Sequence, residues 1–215
     1  MTRLYTYFRS TAAYRVRIAL NFKGIAHELV PVHLVRNGGE HRGADYLSRN
    51  PQGRVPALGV DSADGETVLA QSLAILEYLE EIHPEPALLP VDPVARAKVR
   101  GVADIIACDI HPLNNLAVLG YLKTQLGADQ AAVDRWYAHW ITVNFTAIEQ
   151  MIEGPDFCFC GVPTLADLCL VPQVFNARRF KVPIDAFPKI VAIDAHCSRL
   201  AAFADAHPDN QPDAE

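Results

Sequence analysis

Four of the fifteen prolines fall between residues 84 and 93, at Pro84, Pro86, Pro90 and Pro93. Each fixes φ and withdraws a backbone donor, so neither a helix interior nor a central strand can run through this stretch. It reads as an extended linker between two differently built parts. Before it, short strand patterns alternate with helical ones; after it, long helical periods dominate. A chain of 215 residues that is 50% hydrophobic and 20% charged can bury full cores in one or two domains. The expected boundaries are 1–84 for an α/β domain and 91–215 for an all-helical one.

In the first part, Leu4 to Phe8 reads as a strand, Tyr14 to Lys23 as a helix stopped by Gly24, and Glu28 to Leu34 as a second strand. Ala57 to Val60 and Thr67 to Leu69 read as two further strands, with a turn near Asp64-Gly65 between them. A helix then opens at Ser72, with Ile75, Tyr78, Leu79 and Ile82 on its apolar side. A parallel βαβ unit followed by a hairpin and a helix makes a small layered α/β domain. In the second part, Tyr137, Trp140, Ile141, Phe145, Ile148 and Ile152 share one helical stripe. Thr164 to Asp167 forms a capping box, and His111-Pro112 interrupts a helix expected from about Pro93 to Leu126. The polar end from His207 to Glu215 reads as frayed.

Composition removes several function classes. A net charge of −6 argues against a general nucleic-acid binder. No apolar run approaches a membrane span, and Arg9, Arg15 and Arg17 break any signal-peptide core, which points to the cytoplasm. The five cysteines are odd in number, and Cys158-Phe159-Cys160 is too tightly spaced for zinc, so reduced thiols and no metal are expected.

Three segments carry chemistry. Arg9-Ser10-Thr11-Ala12 leads a strand into a helix whose first amides favour negative charge; a hydroxyl that caps such a helix still has a proton to donate. Val55-Pro56 precedes a strand and suits a cis peptide that turns the Val55 backbone outward, although an ordinary trans proline fits as well. Gln71-Ser72 opens a helix, either as a plain cap or as a seat for a carboxylate.

With Leu88-Leu89-Pro90, Cys108 to Asn115 and Pro172 to Phe180, these segments stand in an order that resembles the glutathione transferase superfamily, most closely its zeta class, over essentially the whole length. The resemblance implies a thioredoxin-like first domain that binds glutathione and an all-α second domain that completes the substrate site. It implies that Val55 and Pro56 meet the cysteinyl part of glutathione, Gln71 and Ser72 the γ-glutamyl end, and His41 the glycyl end. Ser10 would face the thiol beside Thr11 and Ala12, with His111 and Asn115 on the wall of the site. The family's Ser-Ser-Cys-Ser stands here as Ser10-Thr11-Ala12-Ala13, which removes a protein thiol from that spot and makes disulfide reduction doubtful.

The implied reaction is cis–trans isomerisation of a conjugated diacid by reversible addition of the glutathione thiolate. Arginines suit the carboxylates and the developing enolate. Arg15 and Arg179 are the expected catalytic pair beside Ser10, and Arg9, Arg178 and Asn114 are further substrate contacts. Arg17, two residues from Arg15, is expected to point away into a surface or inter-element ion pair. Maleylacetoacetate is the preferred substrate and maleylpyruvate the runner-up, because Leu116 and Ala117 place no cation after Asn115. A transferase acting on α-halo acids and a non-catalytic glutathione-binding module remain as alternatives. A homodimer is implied by the resemblance alone.

Overall fold

The computed structural model describes residues 2–63 and 65–215. The chain divides into two compact units, one reaching to Ala87 and including Leu200–Glu215, the other spanning Leu88–Arg199. The expected helical span 91–215 is interrupted, since the last sixteen residues belong with the first unit.

In the first unit the order is β1 (Thr2–Thr6), α1 (Thr11–Phe22), β2 (His27–Pro31), α2 (Ala44–Leu47), β3 (Ala57–Ser62), β4 (Gly65–Ala70) and α3 (Ser72–Ile82). The sheet runs β2-β1-β3-β4, with β1 parallel to β2 and antiparallel to β3, and with β3–β4 a hairpin. The turn expected near Asp64-Gly65 lies partly outside the described residues. β1 ends earlier than expected because Tyr7 to Ser10 forms a turn, the Ser10 amide donating to Tyr7 O at 2.9 Å. Helix α1 starts three residues earlier than its apolar pattern indicated, and it stops where Gly24 takes φ +64°. Every residue from Thr11 to Leu20 is buried, so α1 is wrapped rather than amphipathic. In α3 the inward face is Ile75, Leu76 and Leu79, whereas Ile82 is exposed, a shift of the expected stripe by part of a turn.

Lys23 closes the far end of this layer. Its side chain is fully buried, and Nζ donates to Glu80 Oε2 at 2.7 Å, His83 O at 2.6 Å and Pro86 O at 2.9 Å. One ammonium thus satisfies carbonyls at and beyond the C-terminus of α3, where positive charge is favoured. On the opposite face, Glu66 of β4 accepts from Arg3, Tyr5 and Arg49, tying β1 and the segment after α2 to the hairpin.

The end of the chain is docked rather than frayed. After a short helix, Ala201–Ala204, Gln211 is buried and donates to Asp205 O and His207 O, both at 2.9 Å. Asn21 donates to Ala202 O and Tyr14 to Phe203 O, and Glu215 pairs with Arg36. Polarity suggested fraying, but these polar groups are spent on hydrogen bonds, within the segment at Gln211 and to the rest of the first unit at Ala202, Phe203 and Glu215.

The second unit contains α4 (Pro93–Asp104), α5 (Leu116–Thr124), α6 (Gln130–Met151), α7 (Leu165–Arg179) and α8 (Pro188–Cys197). The expected interruption at His111-Pro112 appears as a widened π-helical turn over Ile105–Ile110, where His111 N reaches back five residues to Ile106 O at 3.0 Å. Val133, Tyr137, Ile141, Phe145 and Ile148 are the buried stripe of α6. The capping box is present: Asp167 accepts from the Thr164 amide and hydroxyl, both at 2.8 Å, and from the Cys158 amide at 2.7 Å.

Candidate active site

Ser10 is the N-cap of α1, and its Oγ accepts from Ala13 N at 3.2 Å. An oxygen engaged as acceptor leaves the hydroxyl proton to donate elsewhere. Ser10 is half-buried and Thr11 fully buried, so Ser10 is the hydroxyl presented at the helix mouth, and Thr11 offers no exposed side chain to a cofactor. Ala12 contributes a methyl and a first-turn amide. Arg9 is exposed, its guanidinium lying over the Phe8 ring at 4.6 Å.

The Val55–Pro56 peptide is cis. Among the described residues the Val55 amide and carbonyl make no hydrogen bond. The loop that delivers them is fixed, because Arg54 O accepts from Tyr46 Oη at 2.6 Å and from Asn50 Nδ2 at 2.8 Å. Gln71 adopts φ +70°, a left-handed conformation that costs a side-chain-bearing residue about 1–3 kcal/mol and collects at ligand-binding positions. Its side chain does not cap α3; instead Nε2 donates to Gln52 Oε1 at 2.8 Å. The amides of the first turn of α3 are therefore left for an anion.

Arg15 needs correction. It is 1% exposed and donates from Nη1 to Ser72 Oγ at 3.2 Å. A guanidinium so enclosed is no open clamp for a diacid. It orients Ser72, whose oxygen is thereby an acceptor and whose proton is free to point at a carboxylate. Arg17 is also corrected. It is as deeply buried as Arg15, and its partners are the neutral oxygens of Thr6, Tyr7, Phe8 and Ala206 rather than an ion pair. Two residues apart on a helix should diverge, but α1 is covered on both sides.

His41 lies in a short helical turn, Glu40–Arg42, with Nδ1 buried and without a partner among the described residues. Burial, helped by neighbouring Arg42 and opposed by a hydrogen bond to the His33 backbone, lowers its pKa below the ordinary histidine value, so the ring is neutral at pH 7. Gly39, with φ +98°, supports it: a Cβ there would sit 2.4 Å from His41 Cε1. The signal for this in the sequence was the Asn37-Gly38-Gly39 run just before His41.

In the second unit, Asn115 caps α5, accepting from Ala117 N at 2.9 Å and Val118 N at 3.0 Å and donating to Pro112 O at 2.7 Å. The Oδ1 is engaged within the fold, while Nδ2 keeps a second N–H beyond the one given to Pro112 O. Asn114, expected to touch substrate, is buried and donates to Tyr137 O at 3.1 Å. Arg178 pairs with buried Asp194 while its own side chain stays half exposed. Arg179 is exposed at the end of α7, and its guanidinium carbon lies 5.0 Å from the centroid of the Phe180 ring, which itself stacks on Tyr137 at 3.8 Å. His111 follows the widened turn and is half-buried.

No cluster of residues able to hold a metal ion occurs among the described residues, and no helix among them is long and apolar enough to cross a membrane. The first unit fits a thiol peptide on its own observations: a hydroxyl with a donatable proton at a helix mouth, an unengaged backbone pair at Val55, and an uncapped α3 with a donor hydroxyl at Ser72. These define a thioredoxin-like domain built for such a ligand and joined to a helical unit.

Comparison with known proteins agrees. The family model for the glutathione S-transferase N-terminal domain matches residues 4–87. Maleylacetoacetate isomerase of Pseudomonas aeruginosa is 53% identical over 98% of both chains. A holo structure of maleylpyruvate isomerase, described as a bacterial zeta-class glutathione S-transferase, superposes with a TM-score of 0.93 at 45% identity, covering 99% of this chain and 100% of the other. A maleylacetoacetate isomerase from Anaeromyxobacter dehalogenans with glutathione bound in its active site gives a TM-score of 0.90 at 40% identity, covering 100% and 98%. The chain belongs to the glutathione transferase family, in its zeta class.

Proposed function

We propose that this chain catalyses the glutathione-dependent cis–trans isomerisation of maleylacetoacetate to fumarylacetoacetate, in the breakdown of tyrosine and homogentisate. The reading places it in the cytoplasm and makes it a homodimer, as its family suggests. Supporting it are the relative that is 53% identical over nearly the whole length and, in the chain itself, the Ser10 hydroxyl with its proton available at the mouth of α1.

Glutathione supplies a thiolate that adds reversibly to the conjugated double bond and so permits rotation about it. The chain's task is to hold that sulfur ionised. A free thiol has a pKa of about 8.5, and each unit of lowering requires about 1.4 kcal/mol of preference for the anion. The α1 N-terminus contributes about 0.3–1 kcal/mol. A charge-assisted hydrogen bond from Ser10 contributes about 1.5–3 kcal/mol. Together they bring the thiol to neutrality or below. Val55 presents an amide and a carbonyl to the cysteinyl backbone, and Ser72, set by Arg15, donates to the γ-glutamyl carboxylate together with the α3 amides. Neutral His41 takes the glycyl end as a hydrogen-bonding partner. Of the exposed candidate guanidiniums, Arg9 and Arg179 are assigned to the substrate carboxylates, Arg178 being paired with Asp194, and His111 remains a candidate for the substrate wall.

A second substrate, maleylpyruvate, is favoured by the likeness to the zeta-class maleylpyruvate isomerase structure. Both are tested in one assay with glutathione present and absent. Glutathione-dependent turnover with a higher kcat/KM for maleylacetoacetate is expected. The opposite ratio assigns the chain to maleylpyruvate, and no turnover of either removes the isomerase reading.

A further inference from the structure

The hydroxyl of Ser10 can act on a thiol only if the turn that carries it is held still, and the fold holds that turn from far along the chain. Between β1 and α1, Tyr7 O accepts from the Ser10 amide, and it also accepts from Arg17 Nη1 at 3.4 Å. Phe8 O accepts from Arg17 Nη2 at 3.1 Å, and the Phe8 amide donates to Asp213 Oδ2 at 3.0 Å. Arg17 further donates to Thr6 Oγ1 at 3.0 Å and from Nε to Ala206 O at 3.0 Å. Two side chains thus fix the peptide groups just before Ser10, and both are tied to the segment after Leu200.

We propose that Arg17 and Asp213 are positioning residues for the Ser10 hydroxyl, so that the C-terminal segment sets how completely the bound thiol is ionised. The inference rests on Ser10 facing that thiol. Core stability alone gives no reason for an arginine here. Arg17 is 1% exposed and spends its donors on neutral oxygens, and such burial of a cation is costly unless the geometry it enforces is needed. Desolvation accordingly lowers its pKa to about 10, an effect that the Tyr14 and Asp213 charges oppose. Misplacing a catalytic group by about 1 Å costs up to about a hundredfold in rate, so a loose turn is expensive. The titratable and charged groups at the turn include Arg9 on it, Tyr14, Arg15 and Arg17 of α1, His33, whose ring lies 4.9 Å from that of Tyr7, and Asp213.

The test compares Asp213→Ala, Asp213→Asn and Ser10→Ala in the full chain with glutathione bound. Thiolate absorbance is titrated against pH, and isomerase kcat and KM are measured beside melting temperature. Asp213→Ala is expected to raise the bound thiol's pKa by about one unit and to lower kcat at pH 7 by about tenfold, with KM for glutathione nearly unchanged. Asp213→Asn, which keeps an acceptor for the Phe8 amide, recovers at least half of the lost rate. If Asp213→Ala does not fold, Asp213→Glu, which displaces the carboxylate by one methylene, must show the same shift at smaller size. A wild-type titration in the folded Asp213 variants, alongside a shifted one in Ser10→Ala, overturns the proposal. An unshifted Ser10→Ala instead removes the reading of Ser10 on which it stands.

Discussion

At the scale of single residues, the hydrogen bond that gives Ser10 its cap is also what leaves its proton to donate. Removing the hydroxyl separates the two roles. Ser10→Ala loses a helix cap, worth about 1 kcal/mol of stability, and a thiolate donor worth about 1.5–3 kcal/mol. The bound thiol is therefore expected to titrate about one to two units higher, and the acid limb of the kcat–pH profile moves up with it. Measuring that limb checks the prediction; an unmoved limb refutes it. Residue type alone left Ser10, Val55, Gln71 and Ser72 open between plain structural roles and ligand contacts, and the resemblance singled them out. Residue type did not show that Arg15 and Arg17 are buried, because whether a polar side chain meets a ligand or the fold's own backbone depends on what covers it. Arg178 and Arg179 are adjacent in sequence, yet one is bound to Asp194 and the other stands over Phe180.

At the scale of elements, α7 is started by Asp167, which serves three donors at once. Its burial raises the carboxyl pKa, while the hydrogen bonds from Cys158 and Thr164 work the other way. Asp167→Ala leaves the amides of Thr164 and Cys158 without their acceptor in the interior. We expect a loss of at least about 2 kcal/mol in urea unfolding, with little change in KM for glutathione in the material that folds. This helix start was readable in sequence, since its signal is local. The start of α1 was misjudged by three residues for the opposite reason: a helix buried all round lacks the polar face by which periodicity is read. The π-helical turn was foreseen only as an interruption, because proline fixes where a helix must yield but not how.

At the scale of the whole molecule, acid sensitivity follows from the network at Glu66. Burial raises its carboxyl pKa, but the hydrogen bonds from Arg3 and Tyr5, with the charges of Arg3 and Arg49, outweigh burial and leave it below the ordinary value. A depressed folded-state pKa means that the unfolded chain binds the proton more readily. The stabilisation is then present above the unfolded-state value and is lost as pH falls through the folded-state one. Melting temperatures measured downward from pH 6 are expected to fall more steeply for the wild type than for Glu66→Gln; because the cluster is partly exposed, the difference at neutral pH is about 1 kcal/mol or less. The division into two parts was legible from four prolines, whereas the return of the last sixteen residues was not, because a polar segment docked by hydrogen bonds has the same composition as a loose one.

That return sets an order of manufacture. The strands and helices up to Ala87 leave the ribosome with α1 still lacking the stretch that begins at Leu200. At about 5–20 residues per second, the wait is on the order of ten seconds. Throughout it, the guanidinium of Arg17 has no Ala206 carbonyl to meet and the Phe8 amide no Asp213, so the nascent first unit cannot reach its final form before residues 200–215 have been made.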